Sequence, residues 1–130
     1  MRLSPSLALI PLLGALQSCS NSPYGSSGGG SYEMNGSCTP TPTQVCMVNT
    51  SFSPASRTVA AGTTVTFING DGITHTTVSS SVPSGASTWD VTVEAGNSTA
   101  VLLSVKGTYE YYCRIHGAPG AGMHGTIIVN

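Results

Sequence analysis

Charge is what this chain has least of. Its 130 residues include four Lys or Arg and five Asp or Glu, together 7% of the sequence. There is no basic patch, so nucleic acid is a poor partner. A surface dominated by Ser, Thr and Gly also cannot steer a charged ligand over long range. Aromatic residues are scarce as well, at 6%. No segment repeats apolar residues at the period of a helix, which excludes bundles and coiled coils. The apolar run over residues 7–16 is too short to span a bilayer as a helix. No internal repeat is visible.

The beginning of the chain reads as an export signal. Arg2 precedes the apolar run, which ends in Leu16-Gln17-Ser18-Cys19. A small residue before a cysteine resembles the bacterial lipobox, in which the cysteine is lipidated and becomes the new N-terminus. The expectation is a lipoprotein signal peptide over 1–18 and lipidation at Cys19; the alternative is an ordinary signal peptide with a coincidental cysteine. Residues 20–31 are almost entirely Ser, Gly, Asn and Pro, a composition that cannot bury enough apolar surface to order itself. Residues 19–37 are therefore expected to form a flexible tether, and residues 38–130 one small domain with a single core. Beyond the signal, Arg57, Lys106 and Arg114 stand against Glu33, Asp71, Asp90, Glu94 and Glu110, three cations to five anions and a net of −2.

Export also permits disulfides. Cys38 and Cys46 are close in sequence, and the two readings are a bridge, worth roughly 2–3 kcal/mol on the chain-entropy model, or a pair of free thiols. Neither has a histidine near it in sequence, which argues against a metal there. Along the domain, short apolar-alternating segments are split by turn signals: 45–48, 58–60, 63–69, 75–79, 89–94, 99–105, 108–113 and 126–130. Val65 and Phe67 alternate with threonines, Val101, Leu103 and Val105 share a face, and so do Tyr109, Tyr111 and Cys113. Seven or eight strands at this spacing indicate an all-β antiparallel sandwich.

The chemistry is concentrated near the end of the chain. Tyr112-Cys113-Arg114-Ile115-His116 is followed by a Gly/Pro-rich stretch and then by Gly122-Met123-His124-Gly125. Upstream, Asn69-Gly70-Asp71-Gly72-Ile73-Thr74-His75 places another imidazole after a dense turn signal. Taken singly, a histidine, a buried cysteine or a methionine is more often a packing residue than a ligand. Two histidines, one cysteine and a weakly held methionine together form the ligand set of a blue-copper electron-transfer site. Soft sulfur favours Cu(I), and imidazole suits both oxidation states.

Over about residues 45–130 the chain resembles the cupredoxins, in their plastocyanin-like branch. The resemblance rests on Ser53-Pro54, Ala61-Gly62-Thr63-Thr64-Val65 and Asn69-x-Asp71-x-x-x-His75. It is completed by Gly107-Thr108-Tyr109-x-Tyr111-x-Cys113-x-x-His116 and Gly122-Met123-x-Gly125-Thr126-Ile127. It implies a Greek-key β-sandwich holding one copper ion. His75, Cys113 and His116 would be the strong equatorial ligands and Met123 the long axial one. Asn69 and Thr76 would support the ligand loops by hydrogen bonds. His116 would be the electron exit, ringed by small and apolar residues such as Ala118, Pro119 and Ala121, where redox partner proteins dock. One departure is the length of the segment 117–122 between His116 and Met123, longer than in plastocyanin and expected to be absorbed as a bulge. His124, beside Met123, is the competing axial ligand, although adjacent residues near a strand start point to opposite faces. Tyr109, Tyr111, Tyr112 and Trp89 are expected to pack rather than to conduct.

The functional expectation is a monomeric one-electron carrier cycling Cu(I) and Cu(II), held through Cys19 on the extracytoplasmic face of a bacterial membrane. The alternative is an exported protein for copper storage or delivery, which usually has a Met- and His-rich open site. An enzyme is the weakest reading, because a single spare histidine is too few for a second, catalytic copper.

Overall fold

The computed structural model describes residues 37–130. The expected signal peptide, the Cys19 lipidation site and all but the last residue of the tether lie outside the described residues. Nine strands and no helix are found in them: β1 (Gln44–Val48), β2 (Ser51–Ser53), β3 (Ser56–Val59), β4 (Thr63–Asn69), β5 (His75–Ser81), β6 (Asp90–Val93), β7 (Ser98–Leu103), β8 (Gly107–Ala118) and β9 (Ala121–Val129). They form two sheets packed as a sandwich, one in the order β2-β1-β4-β7 and the other β3-β9-β8-β5-β6. The alternation read from the sequence is the reason. Val65 and Phe67 of β4 meet Tyr109, Tyr111 and Cys113 of β8 and Ile127 and Val129 of β9 in one core, because period-two patterning commits one face of each strand inward.

Two ladders run parallel within this otherwise antiparallel arrangement, β1 with β4 and β3 with β9. Turn signals report only on neighbours in sequence, whereas these pairs are joined by long connections. The chain leaves the first sheet after β2 and enters the second at β3, so β1 and β4 meet again only after that excursion, and long connections are what parallel pairing requires. β2 lies outside the expected segments. It is three residues long with Phe52 as its sole apolar member, and it owes its existence to pairing with β1 through the two-residue turn Asn49-Thr50.

An aromatic cluster fills the middle of the sandwich. Tyr111 meets Phe52 at 4.8 Å and Phe67 at 5.1 Å between centroids, both edge to face, a geometry that adds about 0.5–1.5 kcal/mol per pair beyond area burial. Trp89 leans on Tyr109 and Tyr111 from the side. Gly125 lies under the Tyr111 ring, where a Cβ would come within 2.5 Å of the ring's Cζ. Cys38 and Cys46 are joined by a disulfide. It sits against the turn after β4, since a Cβ on Gly70 would be 3.1 Å from that of Cys38.

Candidate metal centre

The segment that reads as a loop in the sequence is mostly a hairpin. β8 and β9 pair as Gly117↔Gly122 and Ala118↔Ala121, with Pro119-Gly120 at the tip. Gly120 has φ +71, which suits a Pro-Gly turn with its second central residue left-handed. Further down, Tyr112 pairs with His124. Four residues of β8, Cys113 to His116, therefore stand opposite the single residue Met123 of β9. The segment 117–122 is thus not absorbed as a bulge, as its Gly, Ala and Pro content suggested: it pairs as the hairpin end, and the bulge lies before it, at Cys113 to His116 of β8. Gly117 is required at the base of the hairpin end, because a Cβ there would lie 2.6 Å from the Met123 amide nitrogen.

This bulge gathers the donors. Cys113 and His75 are fully buried, Met123 is buried at 2% exposure and His116 is half-buried. His75, at the start of β5, reaches the same point from the interior of the sandwich. Its Nδ1 is 3.0 Å from Nδ1 of His116 and 3.8 Å from Sγ of Cys113, and the latter two atoms are 3.6 Å apart. The centre of that triangle lies about 2 Å from each corner, close to the roughly 2.0–2.3 Å bonds that imidazole nitrogen and thiolate sulfur make to an ion such as zinc. These are the one group of metal-ligating His, Cys, Asp or Glu side chains found among the described residues. The donor set fits a copper ion of the blue type: two nitrogens, a thiolate and a neighbouring thioether. His124 points away. It is exposed, and its Nδ1 donates to the Gly122 carbonyl at 2.9 Å.

The surroundings hold these groups in place. The Thr76 amide donates to Sγ of Cys113 at 3.3 Å, with the Thr76 hydroxyl 3.7 Å away, and that same hydroxyl accepts the Arg114 amide at 2.9 Å. Thr76 thus ties the strand of His75 to the strand of Cys113. Burial pushes the Cys113 thiol up, but the Thr76 amide, His75, His116 and the Thr76 hydroxyl outweigh it and bring it down to about 6. The thiolate a soft metal needs is accordingly favoured at neutral pH. Asn69 fastens the turn ahead of His75: its Nδ2 donates to the Ile73 and Val93 carbonyls, both at 2.8 Å, and its Oδ1 accepts the Asp71 amide at 3.0 Å.

Asp71 is visible in the motif but carries no role there. Its Oδ2 accepts the Nε2 proton of His75 at 2.8 Å. Its two oxygens also accept the Asn49 amide at 2.8 Å and the Thr50 amide at 3.0 Å. Burial works against ionisation of this carboxyl, but the bonds from Thr50, His75 and Asn49 prevail and hold it below the usual carboxylate range. A carboxylate four residues before a candidate ligand histidine was the signal that could have found it. His116 is half-buried, its neighbour Ile115 is exposed at 52%, and Ala118, Pro119 and Ala121, at the end of the hairpin that follows it, are exposed. The exposed Arg114 pairs with Asp90.

Comparison with known proteins agrees with this geometry. Residues 38–130 match the model of the copper-binding proteins of the plastocyanin/azurin family. Plastocyanin A/B of Petroselinum crispum is 42% identical over 86 residues, covering 61% of this chain and 87% of that protein. Among solved structures, the copper-containing nitrite reductase NirK from Thermus scotoductus SA-01 superposes with a TM-score of 0.60 at 30% identity, covering 71% of this chain but only 23% of the enzyme. The purple cupredoxin from Nitrosopumilus maritimus shares the fold, with a TM-score of 0.56 at 23% identity, over 68% of this chain and 99% of that one. The chain belongs to the plastocyanin/azurin family of copper-binding proteins, with His75, Cys113, His116 and Met123 as its type 1 copper site.

Proposed function

We propose that this protein is an exported one-electron carrier, anchored by lipid at Cys19, that exchanges electrons with redox partner proteins through His116. The observation that carries the reading is the convergence of three donors whose separations already match those around one ion. Copper bound there supplies a Cu(I)/Cu(II) couple. The protein contributes rigidity. His75 and Cys113 are buried, and Thr76 links their strands. Donors held in this way change position little when charge changes, which keeps electron exchange fast. His116 alone of the three nears solvent, and the exposed Ile115, Ala118, Pro119 and Ala121 close to it in sequence would form a low-charge rim there. A partner would dock on this low-charge rim rather than be steered from a distance. The carrier acts as a monomer, with no role for nucleic acid.

Export is supported by the signal-like beginning of the chain and by the Cys38–Cys46 disulfide, a bond that persists in oxidising compartments. A carrier is favoured over an enzyme because the remaining imidazole, His124, is exposed and turned toward Gly122, which leaves a second copper without ligands from the described residues. The test is the visible spectrum of the oxidised, copper-loaded protein. An intense thiolate-to-copper band, bleached by reductant and lost in Cys113→Ser, is expected. Stoichiometric copper with a weak band would refute the carrier and favour storage or delivery. For the anchor, labelled fatty acid should be incorporated by the full chain in a bacterial host and not by Cys19→Ser. Equal labelling of both would refute lipidation at Cys19.

A further inference from the structure

Asn49 and Thr50 form the two-residue turn between β1 and β2, and both have φ +52. Left-handed backbone is uncommon outside glycine, and for a β-branched residue such as Thr50 it is a conformation that something else must hold. Here that partner is Asp71, whose carboxylate accepts both amides of the turn. The turn in exchange fixes the carboxylate. With its oxygens occupied from one side, Oδ2 presents its remaining lone-pair direction to Nε2 of His75. Asp71 is itself tied at its amide to Asn69, and the adjacent Gly70 amide donates to the Met47 carbonyl of β1 at 3.0 Å. The β1–β2 hairpin, the segment from Asn69 to His75 and the ligand ring are thus one hydrogen-bonded assembly.

A neutral imidazole carries one proton. Because a carboxylate can only accept, the 2.8 Å contact puts that proton on Nε2, and Nδ1 must then be the lone pair facing Cys113 and His116. We propose that Asp71 is a positioning residue that fixes the tautomer and orientation of His75 and, through the imidazole, weights the site toward Cu(II). The physical reason is charge. A carboxylate on the far nitrogen makes the ligating nitrogen more basic, and the more highly charged state of the ion gains more from that than Cu(I) does.

This inference rests on the copper-site reading above, and the experiment keeps the two apart. Asp71→Asn and Asp71→Ala are compared with the wild type in the full chain, loaded with copper, for Cu(II) affinity, Cu(I) affinity and reduction potential. Loss of a hydrogen-bond partner behind a metal-ligating histidine typically weakens binding by about 10- to 100-fold. We expect at least a ten-fold loss of Cu(II) affinity with Cu(I) affinity nearly unchanged, which raises the potential by about 59 mV for one electron. The metal-free proteins provide an independent readout by 15N NMR of His75. The wild type should show the Nε2–H tautomer, and Asp71→Ala a mixture or the reverse.

A Cu(II)/Cu(I) preference within two-fold of wild type in Asp71→Asn, or a wild-type tautomer in Asp71→Ala, would overturn the inference. Equal weakening of both oxidation states would also overturn it, because a purely structural support would act that way. Should Asp71→Ala not fold, the isosteric Asp71→Asn decides the matter, with its folding checked by its thermal transition. If the wild type itself gives no thiolate-to-copper band, it is the copper-site reading that fails.

Discussion

Gly125→Ala is the smallest substitution with a large expected effect. Position 125 lies on β9 with its inward side facing Tyr111. A methyl group built there would sit 2.5 Å from both Cζ and Oη of the tyrosine and 2.9 Å from Cε2. Carbon atoms at ease stand about 3.5–4.0 Å apart, so the ring must retreat by about 1 Å. It has nowhere to go, because Phe52 and Phe67 pack against it at 4.8 and 5.1 Å and Trp89 stands at 6.3 Å. Overpacking of this kind costs about 1–3 kcal/mol, and the lack of slack places the expectation at about 2 kcal/mol or more. For a domain of this size that lowers the thermal midpoint by about 8–16 °C. Thermal and urea unfolding of the metal-free protein measure it. A double-mutant cycle identifies the cause. Tyr111→Leu removes the clashing atoms, so it should cost less when combined with Gly125→Ala than it does in the wild type, with a coupling of about 1 kcal/mol or more. Tyr111→Phe keeps Cζ and should give little relief. A fall of less than about 2 °C for Gly125→Ala, or additive behaviour with Tyr111→Leu, would refute the reasoning.

Asn69→Ala strips hydrogen bonds from the Ile73 and Val93 carbonyls and from the Asp71 amide. It should cost about 2–3 kcal/mol in urea unfolding, and it should also speed copper loss to a chelator. Replacing both Cys38 and Cys46 by Ser opens a loop spanning eight positions and should cost about 2–3 kcal/mol, measured against the oxidised wild type. The Arg114 guanidinium beside Asp90 holds its carboxyl below the usual range. Because the folded value is depressed, its contribution exists above the unfolded carboxylate's titration and disappears as acid protonates it. The pair is exposed, so Asp90→Asn should melt close to wild type at neutral pH, with any gap closing as acid protonates the carboxyl below its ordinary titration range; a gap that widens in acid would contradict the sign.

Most of the sandwich was legible because period-two alternation is a local signal that burial obeys. β4, β5 and β7 begin within a residue or two of where the alternating segments 63–69, 75–79 and 99–105 start. What stayed hidden depends on partners far away in sequence. β2 exists only against β1, and the parallel ladders exist only because the chain changes sheets between β2 and β3. The stretch around Pro119-Gly120 carries the residues of a loop, yet it folds as the tip of a hairpin because Gly117 and Gly122 allow two backbones to approach. At the copper site the donor types were legible, since few other chemistries call for that set. Their supports were legible only in part. Asn69 and Thr76 were marked by position, and the i,i+4 spacing of Asp71 and His75 was a local signal, but the turn that holds Asp71 lies twenty-one and twenty-two residues upstream, and no local pattern announces that part.

The distribution of those supports has a consequence for how the site works. His75 is backed by Asp71, and Cys113 by Thr76, so two of the donors are fixed from inside the protein. His116 has no such backing among the described residues: its hydrogen-bond contacts are to the other two donors. It lies at the far end of the β8 bulge from Cys113 and is the donor nearest solvent. The interior side of the site is therefore set by the hydrogen bonds behind His75 and Cys113, and the solvent side by the hairpin that carries His116. Substitutions at Asn69, Asp71 or Thr76 act on the first, and substitutions at Gly117 or Gly122 on the second. Since adding a Cβ at Gly117 or Gly122 meets backbone rather than a flexible side chain, alanine at either position must move the hairpin itself. The spacing between His116 and Met123 is then the quantity that changes, while the hydrogen bonds behind His75 and Cys113 stay as they are.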